Sequence, residues 1–330
     1  MDDRIRTILA HGPDLLDVSV DLCVLQAYPI MLMGKTSQSS RLPTGLTPLR
    51  ELVDGYDGLL CDIWGVVHNG VAAFDDAVDA LCRFRAGGRL VILITNAPRL
   101  SKDIYPQLAR LGVPRNAFDR VITSGDVTAA LVSKQPDAPL FHFGPARDRS
   151  VLEGLVNPIS DLPDARICLL TGPLDDAIET VDVYRDILAD MRDNAVKMIC
   201  ANPDLVVHSG NRTVFCAGSI ARLYADMGGA VVFAGKPDAA IYVEALRQAA
   251  DTTGRNIAKG KLLAVGDGLP TDVKGAADNG FDACFITEGI HTNMFGKMSA
   301  QFNAAKAGAA IKGMYPHLDL VGICDSLRWV

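Results

Sequence analysis

The residues of this chain best suited to chemistry stand at the ends of short apolar runs. Leu59-Leu60-Cys61 leads into Asp62, followed by Ile63, Trp64 and Gly65 and by a polar corner at His68, Asn69 and Gly70. Leu90 to Ile94 leads into Thr95-Asn96, Val231 to Ala234 into Gly235-Lys236-Pro237, and Leu262 to Val265 into Gly266-Asp267, with Asp272 following. Read singly, each group is ordinary. Asp62, Asp267 and Asp272 could cap the turns or helices that follow them, and Lys236 could be a solvated turn residue. Together they form a coherent set. The acids can hold a hard, oxygen-seeking divalent cation, most naturally Mg²⁺. Lys236 and the Thr95 hydroxyl can neutralise phosphoryl oxygens while Asp62 attacks phosphorus to give an aspartyl-phosphate.

For these groups to act together, the apolar runs must be neighbouring parallel strands. In open α/β sheets the carboxyl ends of such strands face the ligand crevice. The hydrophobic pattern supplies that architecture. Ala77, Val78, Leu81 and Phe84 fit an amphipathic helix over 74–86, stopped by Gly87-Gly88. Leu90 to Ile94 is a buried strand, a helix runs through Leu108 and Leu111 to Gly112, and Val121 to Thr123 is a strand before another helix. This β-α-β-α alternation predicts a parallel sheet covered by helices. The rhythm changes over 138–230, where strands at Leu140 to Phe143, Ile167 to Leu170 and Val196 to Cys200 alternate with helices near Val181 to Met191 and Ala217 to Met227. Within that stretch Asn202-Pro203-Asp204 reads as a structural turn in preference to a specificity loop. The first rhythm resumes at Val231. One domain is therefore expected inside another: an extension and linker over 1–45, a core in two parts over 46–137 and 231–330, and an insert over 138–230.

Composition narrows the function. A net charge of −7 over 330 residues gives no means of neutralising a phosphate backbone, which argues against a nucleic-acid partner. The 8 cysteines include no C-x-x-C pair and sit mostly in apolar runs, as at Cys61, Cys168, Cys200 and Cys284. That usage fits a reducing cytoplasm without disulfides or zinc. No run of about 20 apolar residues is present, so no membrane span is expected. The N-terminal stretch has helical spacing around Leu15, Val18 and Leu22, then an apolar run preceded by Asp17 and Asp21, where a signal peptide would be basic. Gly34-Lys35-Thr36 does not complete a phosphate loop, because the first glycine of that motif falls on Pro29. Residues 34–48 read as a linker, and Met31 or Met33 is an alternative start.

With the motifs in order, DIWGVVHNG at 62–70, ILITN at 92–96, GKP at 235–237 and GDGLPTDVKGA at 266–276, the sequence resembles the haloacid dehalogenase (HAD) superfamily. Within it the chain is similar to the NagD-like, class IIA branch, also through ITSGD at 122–126, ANPD at 201–204 and CAGSIARLYADMGG at 216–229. The resemblance covers Leu49 to Ile290, with a weaker tail. It implies an α/β fold: a Rossmann-like core with a parallel sheet and a smaller inserted α/β cap of the C2 type. It also implies a Mg²⁺-dependent hydrolase acting on a small phosphorylated metabolite. By position, Asp62 would be nucleophile and metal ligand, and Thr95 and the Asn96 backbone would bind phosphate. Lys236 would stabilise Asp62 and the phosphoryl charge. Asp267, Asp272 and the backbone carbonyl of Trp64 would complete the metal site. Substrates of the branch include nucleotide monophosphates, pyridoxal phosphate, phosphoglycolate and p-nitrophenyl phosphate, and the sequence does not choose among them. Self-association is left open.

One departure stands out. Phosphatases of this family carry D-x-D, whose second Asp protonates the leaving oxygen and later activates water; here that position is Trp64. An indole offers one N–H donor and no base, and loss of a positioned acid/base group costs about 10²–10⁴-fold in rate. His68 is the replacement candidate on chemical grounds, against the plainer reading of a loop histidine or capping contact. Two alternatives follow from Trp64: a weakly catalytic or non-catalytic phosphoester-binding protein, or a phosphonate or carbon–halogen hydrolase. The retained Asp267 and Asp272 argue against the dehalogenases, which need no Mg²⁺.

Overall fold

The computed structural model describes residues 43, 45–175, 180–209, 212–290 and 304–330. The expected N-terminal helix, the Gly34 loop and most of the linker lie outside them. The apolar run before the first acid forms β1 (Gly58–Asp62), and the amphipathic segment after it forms α1 (Asp75–Ala86). α1 buries Ala77, Ala80, Leu81 and Phe84, one face of a 3.6-residue period. It stops at Gly87, and Gly88 turns the chain with a φ of 77°. There follow β2 (Leu90–Thr95), α2 (Ser101–Leu111), β3 (Arg120–Thr123) and α3 (Ser124–Val132).

After the insert come α6 (Ala239–Thr253), β10 (Leu262–Gly266), α7 (Lys274–Asn279), β11 (Asp282–Ile286), α8 (Ala304–Met314) and β12 (Leu320–Cys324). Six strands make one parallel sheet in the order β12-β11-β10-β1-β2-β3. The chain builds outward from β1 in one direction and then from β10 in the other, so the switch point falls between those two strands. Alternate residues serve opposite faces: Leu59, Cys61, Val91 and Leu93 pack with α1 and α2, while Leu60, Ile92 and Ile94 pack with Ile241 and Ala245 of α6. Both faces are dry, which is why these strands read as unbroken apolar runs.

The insert carries a second parallel sheet, β4 (Leu140–Phe143), β5 (Ile167–Leu170), β6 (Lys197–Cys200) and β9 (Val231–Phe233). Helices α4 (Arg185–Asp193) and α5 (Ala217–Asp226) cover it, around a core that includes Tyr184, Leu188 and Tyr224. A two-stranded hairpin, β7 (Val206–Ser209) and β8 (Arg212–Phe215), precedes α5 and was not foreseen.

One strand is reassigned. The core was expected to resume at Val231, but β9 pairs in parallel with β6, Met198 against Val231 through Cys200 against Phe233. Backbone bonds from Met198 to Ala230 (2.9 Å) and from Ala234 to Cys200 (3.1 Å) hold it there. A three-residue apolar strand satisfies the edge of either sheet, so pattern alone did not decide its partner. Lys236 therefore enters the site from the returning cap chain, not from the end of a core strand. Among the described residues no helix is long and apolar enough to cross a membrane.

Phe84, fully buried beneath β1 and β2, tests the packing of this core. Phe84→Ala is expected to lower the free energy of unfolding by about 3–5 kcal/mol, read from urea titration at unchanged folded-state circular dichroism.

Candidate active site

Register brings the expected residues together. Cys61 lies opposite Val265 and Asp62 opposite Ile94, so Asp62, Thr95 and Asp267 emerge within one residue of each other on three adjacent strands. Asp272 follows in a widened turn over Leu269–Val273, where the N–H groups of both Asp272 (2.9 Å) and Val273 (3.0 Å) donate to the Gly268 carbonyl. Its carboxylate accepts from the Gly268 N–H at 2.9 Å. Asp267 accepts from the Ile290 N–H at 2.6 Å. Glycine is required where the chain crosses these acids. Gly65 has a φ of 88°, and a Cβ there would strike the Asp267 carboxylate, as would one at Gly289.

Lys236 is the cation of the cluster. Its Nζ donates to Asp62 and, at 2.6 Å, to Asp272. All four groups are buried. Burial disfavours the Lys236 ammonium, yet Asp272 and Asp62 outweigh that and hold its pKa well above the usual range. Burial drives the Asp62 pKa upward against the pull of Lys236. It also lifts Asp267, with help from Asp272, to about 7. Ionised together, the three carboxylates would outnumber the one ammonium, which is why protons are held on the acids when no further cation is present. Carboxylate oxygens of Asp62, Asp267 and Asp272 lie within 4.8 Å of one another. That spacing suits oxygen ligands about 2.0–2.1 Å from a hard divalent cation, whose charge would relieve the imbalance.

Asn96 ties the cap return to the core. Its side-chain carbonyl accepts from the Lys236 N–H at 2.7 Å, and its amide donates to the Lys236 carbonyl (3.1 Å) and to Asp204 (2.8 Å). The Thr95 hydroxyl accepts from the Ala97 N–H at 3.2 Å, and Thr95 lines the same cavity as Asp62. Trp64 also lines that cavity; its indole meets the His68 ring edge-on at 5.3 Å and packs over Gly70. His68 is buried, and its Nδ1 accepts from the Gly70 N–H at 3.0 Å, a capping contact that leaves the proton on Nε2. Burial lowers its pKa to about 4.

Two cavities meet here. One, of about 380 Å³, holds Asp62, Lys236, Asp267 and Asp272. The other, of about 420 Å³, lies between core and cap and is lined by Trp64, His68, Arg99, Arg147 and Asp204, among others. Asp204, part of the turn expected at Asn202-Pro203-Asp204, lines both cavities. Its signal in the sequence is the ANPD segment at 201–204, which follows β6.

Comparison with known proteins agrees with this architecture. The family model described as haloacid dehalogenase-like hydrolase matches residues 59–155, and one described as HAD-hydrolase-like matches 233–306. A crystal structure of a haloacid dehalogenase-like family hydrolase from Brucella suis 1330 is 44% identical, covering 76% of this chain and 91% of that one, with a TM-score of 0.72. The 5'-nucleotidase YutF of Bacillus subtilis is 24% identical over 71% of this chain and 88% of its own. The D-glycerol 3-phosphate phosphatase of Mycobacterium tuberculosis is 26% identical over 74% of this chain and 66% of its own. The chain belongs to the haloacid dehalogenase-like hydrolases.

Two outcomes are expected. Lys236→Met leaves Asp62 and Asp272 without their cation and should cost about 3–5 kcal/mol of stability in EDTA, measured by urea unfolding. The folded pKa of His68, about 4, lies below its ordinary 6.5. Its contribution is therefore complete above pH 6.5 and lost as the pH falls toward 4. Between pH 7 and 5 wild type should lose about 2 kcal/mol more than His68→Leu.

Proposed function

We propose that this chain is a Mg²⁺-dependent phosphomonoesterase that works through an aspartyl-phosphate on Asp62. The observation that carries the reading is the buried Asp62–Lys236–Asp272 chain, with Asp267 beside it, opening into a cavity shared by core and cap. Asp62, Asp267, Asp272 and the Trp64 carbonyl are the proposed metal ligands; bound there, Mg²⁺ supplies positive charge against the phosphoryl oxygens. Lys236 and the Thr95 hydroxyl, with the Asn96 backbone N–H, carry the rest of that charge. The Lys236 ammonium also holds one Asp62 oxygen in place, leaving the other to attack phosphorus in line.

The substrate proposed is a small phosphorylated metabolite. Its non-reacting portion would occupy the cavity between core and cap, where Arg99 and Arg147 suit a further anionic or hydrogen-bonding group. The activities named for the Bacillus and Mycobacterium relatives, a nucleotidase and a glycerol-phosphate phosphatase, support this class. The scattered buried cysteines support a cytoplasmic setting. A second reading, a phosphoester-binding protein with slow turnover, is favoured by one observation: the Trp64 indole beside Asp62 cannot exchange a proton near neutrality.

Turnover of p-nitrophenyl phosphate separates the two. The wild type is expected to be active with Mg²⁺ and silent in EDTA, and Asp62→Asn should reduce kcat by roughly 10³-fold or more while the fold is kept. A silent wild type that still binds a phosphoester by calorimetry would establish the second reading instead.

A further inference from the structure

The phosphomonoester reading leaves a gap. In-line attack by Asp62 drives the leaving oxygen out on the opposite side of phosphorus, toward the space between core and cap. An alkoxide leaving there needs a proton, and the water that later attacks the aspartyl-phosphate must give one up. Lys236 already bridges two carboxylates, and His68 lines only the outer cavity, its Nδ1 committed to Gly70. Four residues line both cavities, namely Trp64, Thr95, Asp204 and Val207. Of these, only Asp204 carries a carboxyl group.

We infer that Asp204, delivered by the cap at the junction of the two cavities, is the general acid and base of the reaction, and this rests on the phosphomonoesterase function proposed above. In the first step the Asp62–phosphorus bond forms, the bond from phosphorus to the leaving oxygen breaks, and the Asp204 proton passes to that oxygen. In the second, the Asp204 carboxylate takes a proton from water as water attacks phosphorus. Inorganic phosphate departs, and Asp62 and protonated Asp204 are regenerated.

The surroundings of Asp204 fit the role. One oxygen accepts from the Asn96 amide at 2.8 Å, which fixes the carboxyl against the residue that follows Thr95. Its own N–H donates to the Asn202 side chain at 3.1 Å, and its carbonyl accepts from the Gly218 N–H at 3.1 Å, at the start of α5. A Cβ at Gly218 would strike the Pro203 and Asp204 carbonyls, so the turn and helix are seated in close contact. The side chain is half-buried, and burial raises its pKa against the opposing pull of Lys236 and the Asn96 bond. A carboxyl so placed holds a proton at higher pH than one in water. Because the acid belongs to the cap, proton transfer would depend on the cap being seated on the core.

The test is leaving-group dependence in Asp204→Asn, which keeps the oxygen that accepts from Asn96. Wild type and variant are compared on p-nitrophenyl phosphate, whose leaving group needs no proton, and on an alkyl phosphate. The expected result is a fall in kcat/KM of about 10²–10⁴-fold on the alkyl ester and a far smaller fall, about tenfold, on the aryl ester. With the aryl ester a burst of nitrophenol stoichiometric with enzyme should precede slow turnover, because the phosphorylated enzyme forms readily and is hydrolysed slowly. Equal losses on both esters without a burst would mean that Asp204 only docks the cap; the phosphomonoesterase reading would stand and this assignment would be overturned. If wild type turned over neither ester, the phosphomonoesterase reading itself would fail, and this inference with it.

Discussion

One buried ammonium against three buried carboxylates is the constraint on which this structure turns. Lys236 bonds Asp62 and Asp272 at once, and Asp267 stands beside them. In a dry site such charges persist only when paired and hydrogen-bonded. The surrounding backbone is arranged accordingly: Gly268 and Ile290 donate to the acids, and the chain passes them at Gly65 and Gly289, where a side chain would collide. The cluster is short of positive charge. That deficit is the physical reason to expect a divalent cation, and it is also what a dianionic phosphoryl group would need help to approach.

The same lysine makes the cap part of the candidate site. Lys236 lies just after β9, an edge strand of the cap sheet, and Asn96 grips both its N–H and its carbonyl while holding Asp204. One asparagine thus joins the end of β2, the return from the cap and a turn within the cap. A cap seated in this way closes the reacting centre on one side and forms the outer cavity on the other, with Trp64 and Thr95 in the wall between them. Replacing a carboxylate by Trp64 removes a proton carrier from the core side of that wall. The carboxyl that the geometry offers instead comes from the opposite domain.

Much of this was legible in the sequence. Leu59 to Asp62, Leu90 to Thr95 and Leu262 to Gly266 were readable as buried strands ending in polar groups because both faces of the sheet are covered, which makes each run apolar throughout. The helix over 74–86 was readable from one face of spacing and a glycine stop. Val231 to Phe233 was not assignable to its sheet, since three apolar residues carry no information about their neighbour. The hairpin over 206–215 was missed between two stronger signals, the Asn202-Pro203-Asp204 turn and helix α5.

By itself the sequence determined the kinds of groups available and the strands that carry them: an acid at the end of β1, a hydroxyl at the end of β2, a lysine before a proline and two acids after β10. Local pattern suffices for that, because strand ends and helix faces are properties of neighbouring residues. Only the tertiary structure decided which groups meet. It set Lys236 between Asp62 and Asp272, turned the nitrogen of His68 to Gly70, and brought Asp204 from the cap to Asn96. Those pairings span 36 to 174 residues except at His68. They follow from sheet register and domain closure, which no stretch of local sequence encodes.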